Sequence, residues 1–255
     1  MASRARTPTA AEREAAQLAA TRAFRSDVPA PNRVARAVDI DAGHGLELPG
    51  VLTIPPQPAG AIAFAQGSGS SRLRPPDRAL ARALTMAGYA TLLFDLLTMP
   101  EEAHKRNIFD IPLLTGRLTA ATEWLQGQTA TSGLPLGFIG TSTGAAAALC
   151  AAADLGSAIS AIVLRGGRTD LAQSRLAEVT APTLMITGSD DWEVLEHNRR
   201  ARSLLRCPND LAVVEGATHF FEEPGTLDRA IDLAIAWFSR HLQALDGRDA
   251  SAPPD

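Results

Sequence analysis

Gly140-Thr141-Ser142-Thr143-Gly144 stands between the apolar run Leu134-Pro135-Leu136-Gly137-Phe138-Ile139 and the stretch Ala145-Ala146-Ala147-Ala148-Leu149-Cys150-Ala151-Ala152-Ala153. The run has the length of a buried strand, and the alanine stretch has the propensity and small side chains of a buried helix. A serine at such a strand-to-helix turn has its hydroxyl lifted clear of the sheet. The turn is so tight that side chains two residues to either side collide with it, and glycines at 140 and 144 remove the collision. The first N–H groups of the helix then point at the serine, where negative charge develops during attack on a carbonyl. The pattern predicts a nucleophile on an α/β sheet. The alternative is an ordinary tight turn, and an acid and a histidine at suitable later positions decide between the two.

At 255 residues, 45% hydrophobic and 20% charged, the chain is long enough for one α/β domain with a well-buried core. Its formal net charge is −4, and its arginines are scattered, so no nucleic-acid partner is expected. Cys150 and Cys207 form no disulfide framework and have no metal-ligand spacing. Cys150, inside the alanine-rich helix, reads as a small buried hydrophobe. No metal is implied. The longest apolar run, 145–153, is too short and too alanine-rich to span a bilayer. The N-terminus has arginines, but no apolar segment of signal-peptide length. A soluble, cytoplasmic protein with no membrane partner is expected.

Three regions follow from the texture of the chain. Residues 1–30 read as an N-terminal helical extension, opened by the capping-box residues Thr9-Ala10-Ala11-Glu12 and closed by Pro29 and Pro31. Residues 31–245 alternate strands and helices, and residues 246–255 read as a disordered tail. Strands are expected near 34–40, 46–54, 61–65, 89–94, 134–139, 159–164, 183–187 and 211–214. The first two pair antiparallel around a turn containing His44. Helices are expected near 75–86, 113–126, 145–153, 171–179, 194–205 and 227–242, with a polar loop around Glu101 to Arg106. This alternation predicts a mostly parallel central sheet with helices on both faces. The short connection before the strand at 183 leaves no room for a large cap domain there.

A serine hydroxyl needs an imidazole to take its proton, and the imidazole needs a carboxylate to hold its tautomer and stabilise its cation. In sheets of this kind the acid precedes the histidine. The strand at 183–187 runs into Gly188-Ser189-Asp190-Asp191-Trp192, on the edge where active sites of open α/β sheets lie. The next strand runs into Glu215-Gly216-Ala217-Thr218-His219. His219 is therefore the expected base. Asp191 is favoured over Asp190 as its acid, with the other carboxylate capping the following turn or helix, and Asp95 is an outside candidate. His44, His104, His197 and His241 lie in a turn, a polar loop and two helices, where ordinary roles suffice. The loop Gln66-Gly67-Ser68-Gly69-Ser70-Ser71 follows an early strand, and its backbone can approach a substrate oxygen. The oxyanion-hole donors are assigned to the N–H groups of Ser68 and Thr143. The loop lacks the lysine of a phosphate-binding P-loop and the third glycine of a dinucleotide fingerprint.

These segments, together with Leu92-Leu93-Phe94-Asp95-Leu96-Leu97-Thr98, Arg165-Gly166-Gly167-Arg168 and the stretch from Gly216 to Gly225, resemble the α/β-hydrolase superfamily. They most resemble its dienelactone-hydrolase-like bacterial members, from about residue 33 to 242. The resemblance implies a hydrolase of ester-like small molecules with Ser142, Asp191 and His219 as the triad and no cofactor. Dienelactone hydrolases proper use a cysteine nucleophile, so their substrate does not carry over to Ser142. Relatives often have histidine where Gln66 stands; Gln66 either hydrogen-bonds the loop in its place or marks an altered oxyanion site. Cleavage of carboxylic esters through an acyl-enzyme on Ser142 is the leading expectation. The alternatives are an acyltransferase or biosynthetic cyclase on the same fold, or a non-catalytic ligand-binding module. Trp192, Phe220 and the loop from Glu101 to Arg106 are expected to shape specificity, while Arg165 and Arg168 serve either an anionic substrate or structural ion pairs. Whether the chain is a monomer or a homodimer is left open.

Overall fold

A computed structural model describes residues 33–43, 45–67 and 72–242. The expected N-terminal helix, the C-terminal tail, His44 and Ser68 lie outside the described residues. The strands are β1 (Val34–Asp41), β2 (Glu47–Ile54), β3 (Gly60–Ala65), β4 (Tyr89–Phe94), β5 (Leu136–Thr141), β6 (Ile159–Arg165), β7 (Thr183–Gly188) and β8 (Asn209–Val214). The helices are α1 (Pro75–Met86), α2 (Met99–Glu102), α3 (Lys105–Ile108), α4 (Ile111–Gln126), α5 (Thr143–Leu155), α6 (Trp192–Leu204) and α7 (Thr226–His241).

The strands form one eight-stranded sheet in the order β1-β2-β4-β3-β5-β6-β7-β8. β1 pairs antiparallel with β2 and β2 antiparallel with β4, while the pairings from β4 through β8 are parallel. Parallel strands need crossover helices, and these cover both faces and bury the central strands completely. In β3 every residue is buried, yet the pleat still sorts them. Ala61, Ala63 and Ala65 face the core shared with α4 and α5, and Ile62 and Phe64 face the core shared with α1 and α7.

The first of these faces explains the alanine run. Ala145 to Ala152 of α5 are all buried, and methyl side chains let the helix axis lie close to the sheet. Cys150 is buried among them, and burial is the main cause pushing its thiol up. On the opposite face, Ala230, Ala234 and Phe238 repeat every fourth residue along α7 and are buried. Full burial of Phe238 contributes about 1.5–3 kcal/mol.

Two expectations need correction. The polar loop around Glu101 to Arg106 contains the short helices α2 and α3. Thr98 and Glu101 form a reciprocal capping box at the start of α2, with the Thr98 N–H donating to Glu101 Oε2 at 2.9 Å. The helix expected at 171–179 is a 3₁₀ segment, Thr169–Glu178. Elsewhere the expected boundaries fall within a few residues of those found.

Candidate active site

The loops that follow the parallel strands meet at one edge of the sheet. Gln66 and Gly67 follow β3, Asp95 follows β4, Ser142 follows β5, Gly166 follows β6, Asp191 follows β7 and His219 follows β8.

Ser142 lies between β5 and α5 with φ 51° and ψ −125°. A non-glycine residue pays for a positive φ in strain, and such strain persists only where the surroundings impose it. The surroundings are tight. A Cβ at Gly140 would lie 2.6 Å from Ala145 Cα, and one at Gly144 would lie 2.2 Å from the Ala65 carbonyl oxygen. The Ser142 carbonyl accepts the N–H groups of Ala145 at 3.1 Å and Arg168 at 3.0 Å, which ties the turn to the loop after β6. Ser142 itself is only partly buried.

Asp191 occupies the N-cap position of α6, yet its side chain makes no cap hydrogen bond. Its Oδ2 lies instead 2.6 Å from His219 Nδ1. That distance fits Nδ1–H donating to the carboxylate, a tautomer that leaves Nε2 as an acceptor. Asp190 faces solvent and accepts the Ser189 hydroxyl at 2.9 Å, so it does not fill the capping role expected of it. The loop carrying His219 is braced by Glu223, which accepts from the Thr218 N–H at 3.1 Å and the Thr218 hydroxyl at 2.5 Å. These bonds, the Thr218 hydroxyl first, hold the Glu223 carboxyl below its ordinary range. Phe220 meets the imidazole edge-on at 5.1 Å between centroids.

The structure thus joins Asp191 to His219 directly and leaves Ser142 without a hydrogen bond to His219 among the described residues. The two lie in one neighbourhood nonetheless. The loop holding the Ser142 carbonyl carries Gly166, where a Cβ would sit 3.4 Å from ring atoms of His219. Thr143 opens α5, where the first N–H groups have no partner within the helix. Gly67 brings the early loop alongside: a Cβ there would lie 2.8 Å from the Thr143 nitrogen.

The other candidates are occupied elsewhere. Asp95 accepts the Arg72 N–H at 2.7 Å and pairs with the Arg72 guanidinium; burial, partly offset by that arginine, raises its carboxyl above the usual range. Arg165 pairs with buried Asp77 at 2.7 Å, and Arg168 grips Asp170 through two bonds of 2.7 and 2.8 Å, so both arginines serve structural ion pairs. His104 is exposed, His197 approaches Asp170 and Glu193 at 4.0 and 3.7 Å, and His241 meets the Trp237 ring at a tilt, 4.4 Å between centroids.

Beside Thr143 and Gly67 opens a cleft of about 330 Å³, part of it open solvent. Glu102, within the segment from Glu101 to Arg106, and Ile108, just beyond it, reach it from the short helices, whereas the exposed Trp192 and Phe220 are not in its lining. Leu96, Leu97 and Leu114 complete its apolar wall, and the sequence reading missed them. Their only signal in the sequence was the position of Leu96 and Leu97 directly after β4, on the functional edge of the sheet. Gln66 also lines the cleft, and its side-chain amide has no hydrogen-bond partner among the described residues. No group of three or more His, Cys, Asp or Glu that could hold a metal occurs among the described residues, and no described helix is long and apolar enough to cross a membrane.

No family model matches the chain. Two curated relatives from Mycobacterium tuberculosis strains, both provisionally named phosphoribosyl transferases, are 53% identical over 193 residues, which is 76% of this chain. The chain spans less than half the length of these relatives, 44%. Among solved structures, a dienelactone hydrolase from Anabaena variabilis is 44% identical with a TM-score of 0.80, the match covering 83% of this chain and all of that one. A dienelactone hydrolase-like promiscuous phosphotriesterase from metagenomic libraries shares the fold at 19% identity and a TM-score of 0.66, with 82% of this chain and 99% of that one covered.

Proposed function

We propose that this chain, which belongs to the dienelactone hydrolase family of α/β-hydrolases, is a serine hydrolase that cleaves carboxylic ester-type bonds. Ser142 attacks the carbonyl carbon while His219 Nε2 takes its proton, and the carbonyl electron pair moves onto oxygen. The N–H of Thr143 stabilises that oxyanion, with the N–H of Ser68 as the second donor. Collapse of the intermediate expels the alcohol, protonated by His219, and leaves an acyl group on Ser142. Water, deprotonated by the same imidazole, then releases the acid. Asp191 keeps the Nδ1–H tautomer and stabilises the imidazolium.

The observation that carries this reading is the 2.6 Å contact between Asp191 and His219 beside the strained turn of Ser142. Full coverage of the Anabaena dienelactone hydrolase supports a hydrolase of that type. Serine in place of the cysteine of dienelactone hydrolases proper argues for a substrate of its own. The transferase name belongs to relatives of which the chain spans 44%.

The reading predicts covalent labelling of Ser142 by a fluorophosphonate probe and hydrolysis of simple esters. Ser142→Ala is expected to lose the label and at least roughly a thousandfold of the ester turnover. Full activity in that variant would overturn the assignment. Acyl transfer to an added alcohol in preference to water would move the protein to the acyltransferase alternative.

A further inference from the structure

Gln66 is only 4% exposed, and neither its side-chain amide nitrogen nor its side-chain carbonyl oxygen has a hydrogen-bond partner among the described residues. Thr143 is 1% exposed, and its hydroxyl is likewise without a partner. Buried polar groups are costly to leave unpaired, and native proteins keep few of them. These two occur together, lining the same cleft beside the nucleophile.

The chemistry of the lining narrows what fits. The Gln66 amide offers two N–H donors and a carbonyl acceptor, and the Thr143 hydroxyl donates or accepts. A group that itself both donates and accepts, such as a carboxamide or a hydroxyl, satisfies both. Leu96, Leu97, Ile108 and Leu114 wall the space with aliphatic side chains that suit a short hydrocarbon spacer. Two carboxylates also reach the cleft. Asp95 is neutralised by Arg72, but Glu102 has no ion-pair partner among the described residues and repels an anion. Thr143 carries the cleft's hydroxyl and also the N–H assigned to the oxyanion, which puts the polar lining within a few bonds of the reacting carbonyl.

We propose that Gln66 and the Thr143 hydroxyl form a subsite selecting esters whose acyl portion carries an uncharged donor–acceptor group, a carboxamide or hydroxyl, and rejecting the matching carboxylate. The proposal rests on the serine-hydrolase reading for its acyl assignment.

Three methyl esters of nearly equal shape test it: methyl succinamate, methyl isocaproate and monomethyl succinate, compared by methanol release. The expected order of kcat/KM is succinamate first and the succinate monoanion last. Gln66→Leu and Gln66→Met are expected to lower the succinamate-to-isocaproate ratio about tenfold or more, and Thr143→Val to lower it in the same direction. Taking the ratio within each protein cancels the intrinsic reactivity of the esters. A ratio unchanged in all three variants, or equal losses on both esters, overturns the subsite. If no ester turns over and the fluorophosphonate leaves Ser142 unlabelled, the serine-hydrolase reading fails separately. Calorimetric titration with methyl succinamate then decides for the subsite: binding weakened about tenfold by Gln66→Leu sustains it, and equal or absent binding overturns it.

Discussion

Asp190 and Asp191 are neighbours in sequence with opposite surroundings. Asp190 faces solvent and holds only the Ser189 hydroxyl, whereas Asp191 contacts His219 Nδ1 at 2.6 Å. Asp191→Asn keeps the shape but favours the wrong tautomer, so kcat on an ester is expected to fall by roughly three to four orders of magnitude. Asp190→Asn is expected to change it by less than about threefold, since no contact reaches the imidazole. Steady-state kinetics on the two variants decide the assignment. A methyl group at Gly144 meets the Ala65 carbonyl oxygen at 2.2 Å, and that atom is backbone with nowhere to move. Gly144→Ala is therefore expected to lower stability by about 1–3 kcal/mol and to distort the serine turn, read by thermal melting alongside activity. The glycines of the serine turn and the pairing of Asp191 with His219 were legible in the sequence because their constraint is local or follows strand order. The empty hand of Gln66 was not. Its lack of a partner depends on what β4, α3 and α5 bring around it, and no single segment carries that information.

Elements at the functional edge are held in register by buried charge as well as by the sheet ladder. Asp77 in α1 pairs with Arg165 at the end of β6, across 88 residues of chain, with their side chains 1% and 9% exposed. Burial pushes the Asp77 carboxyl up and the Arg165 guanidinium down, each partner opposing the shift in the other. Such a pair adds little net stability, but one partner without the other leaves a buried charge. Asp77→Ala is expected to cost about 3–5 kcal/mol in denaturant melts, and the double change Asp77→Leu with Arg165→Met much less. The loop bearing His219 has a different brace. Hydrogen bonds from Thr218 hold the Glu223 carboxyl below its ordinary range, so its contribution is complete above the unfolded value near 4.5 and is lost as pH falls through the depressed folded value. Glu223→Gln is expected to flatten that acid limb when melting temperature is followed against pH. Element types were readable from periodicity, and boundaries came within a few residues. The two short helices before α4 escaped because four-residue helices carry no period, although Thr98 and Glu101 already spelled a capping box.

The order of strands determines what the molecule exposes. With β4 through β8 parallel, every loop of the candidate site emerges on one edge, and the access to that edge depends on what the connections do afterwards. Here residues 166–182 are taken up by the 3₁₀ segment Thr169–Glu178, which packs against α5 and α6 on a face of the sheet and not across its edge. The short connection was visible in the sequence; the face it covers was not, because that depends on Ala172 and Leu176 entering the core beneath it. On the proposed reading the acyl group enters the cleft lined from α3, α4 and α5, part of whose roughly 330 Å³ is open solvent, and the alcohol leaves by the sheet edge that the 3₁₀ segment does not cross. Selectivity should be lopsided in consequence. Exchanging a phenyl for a naphthyl leaving group on one acyl chain is expected to change kcat/KM by less than roughly tenfold, about 1.4 kcal/mol, once corrected for leaving-group reactivity. Lengthening the acyl chain beyond what the cleft encloses is expected to lower kcat/KM more steeply than that. The two ester series, run side by side, check it: a steep loss with leaving-group bulk would mean that a part of the chain covers the edge.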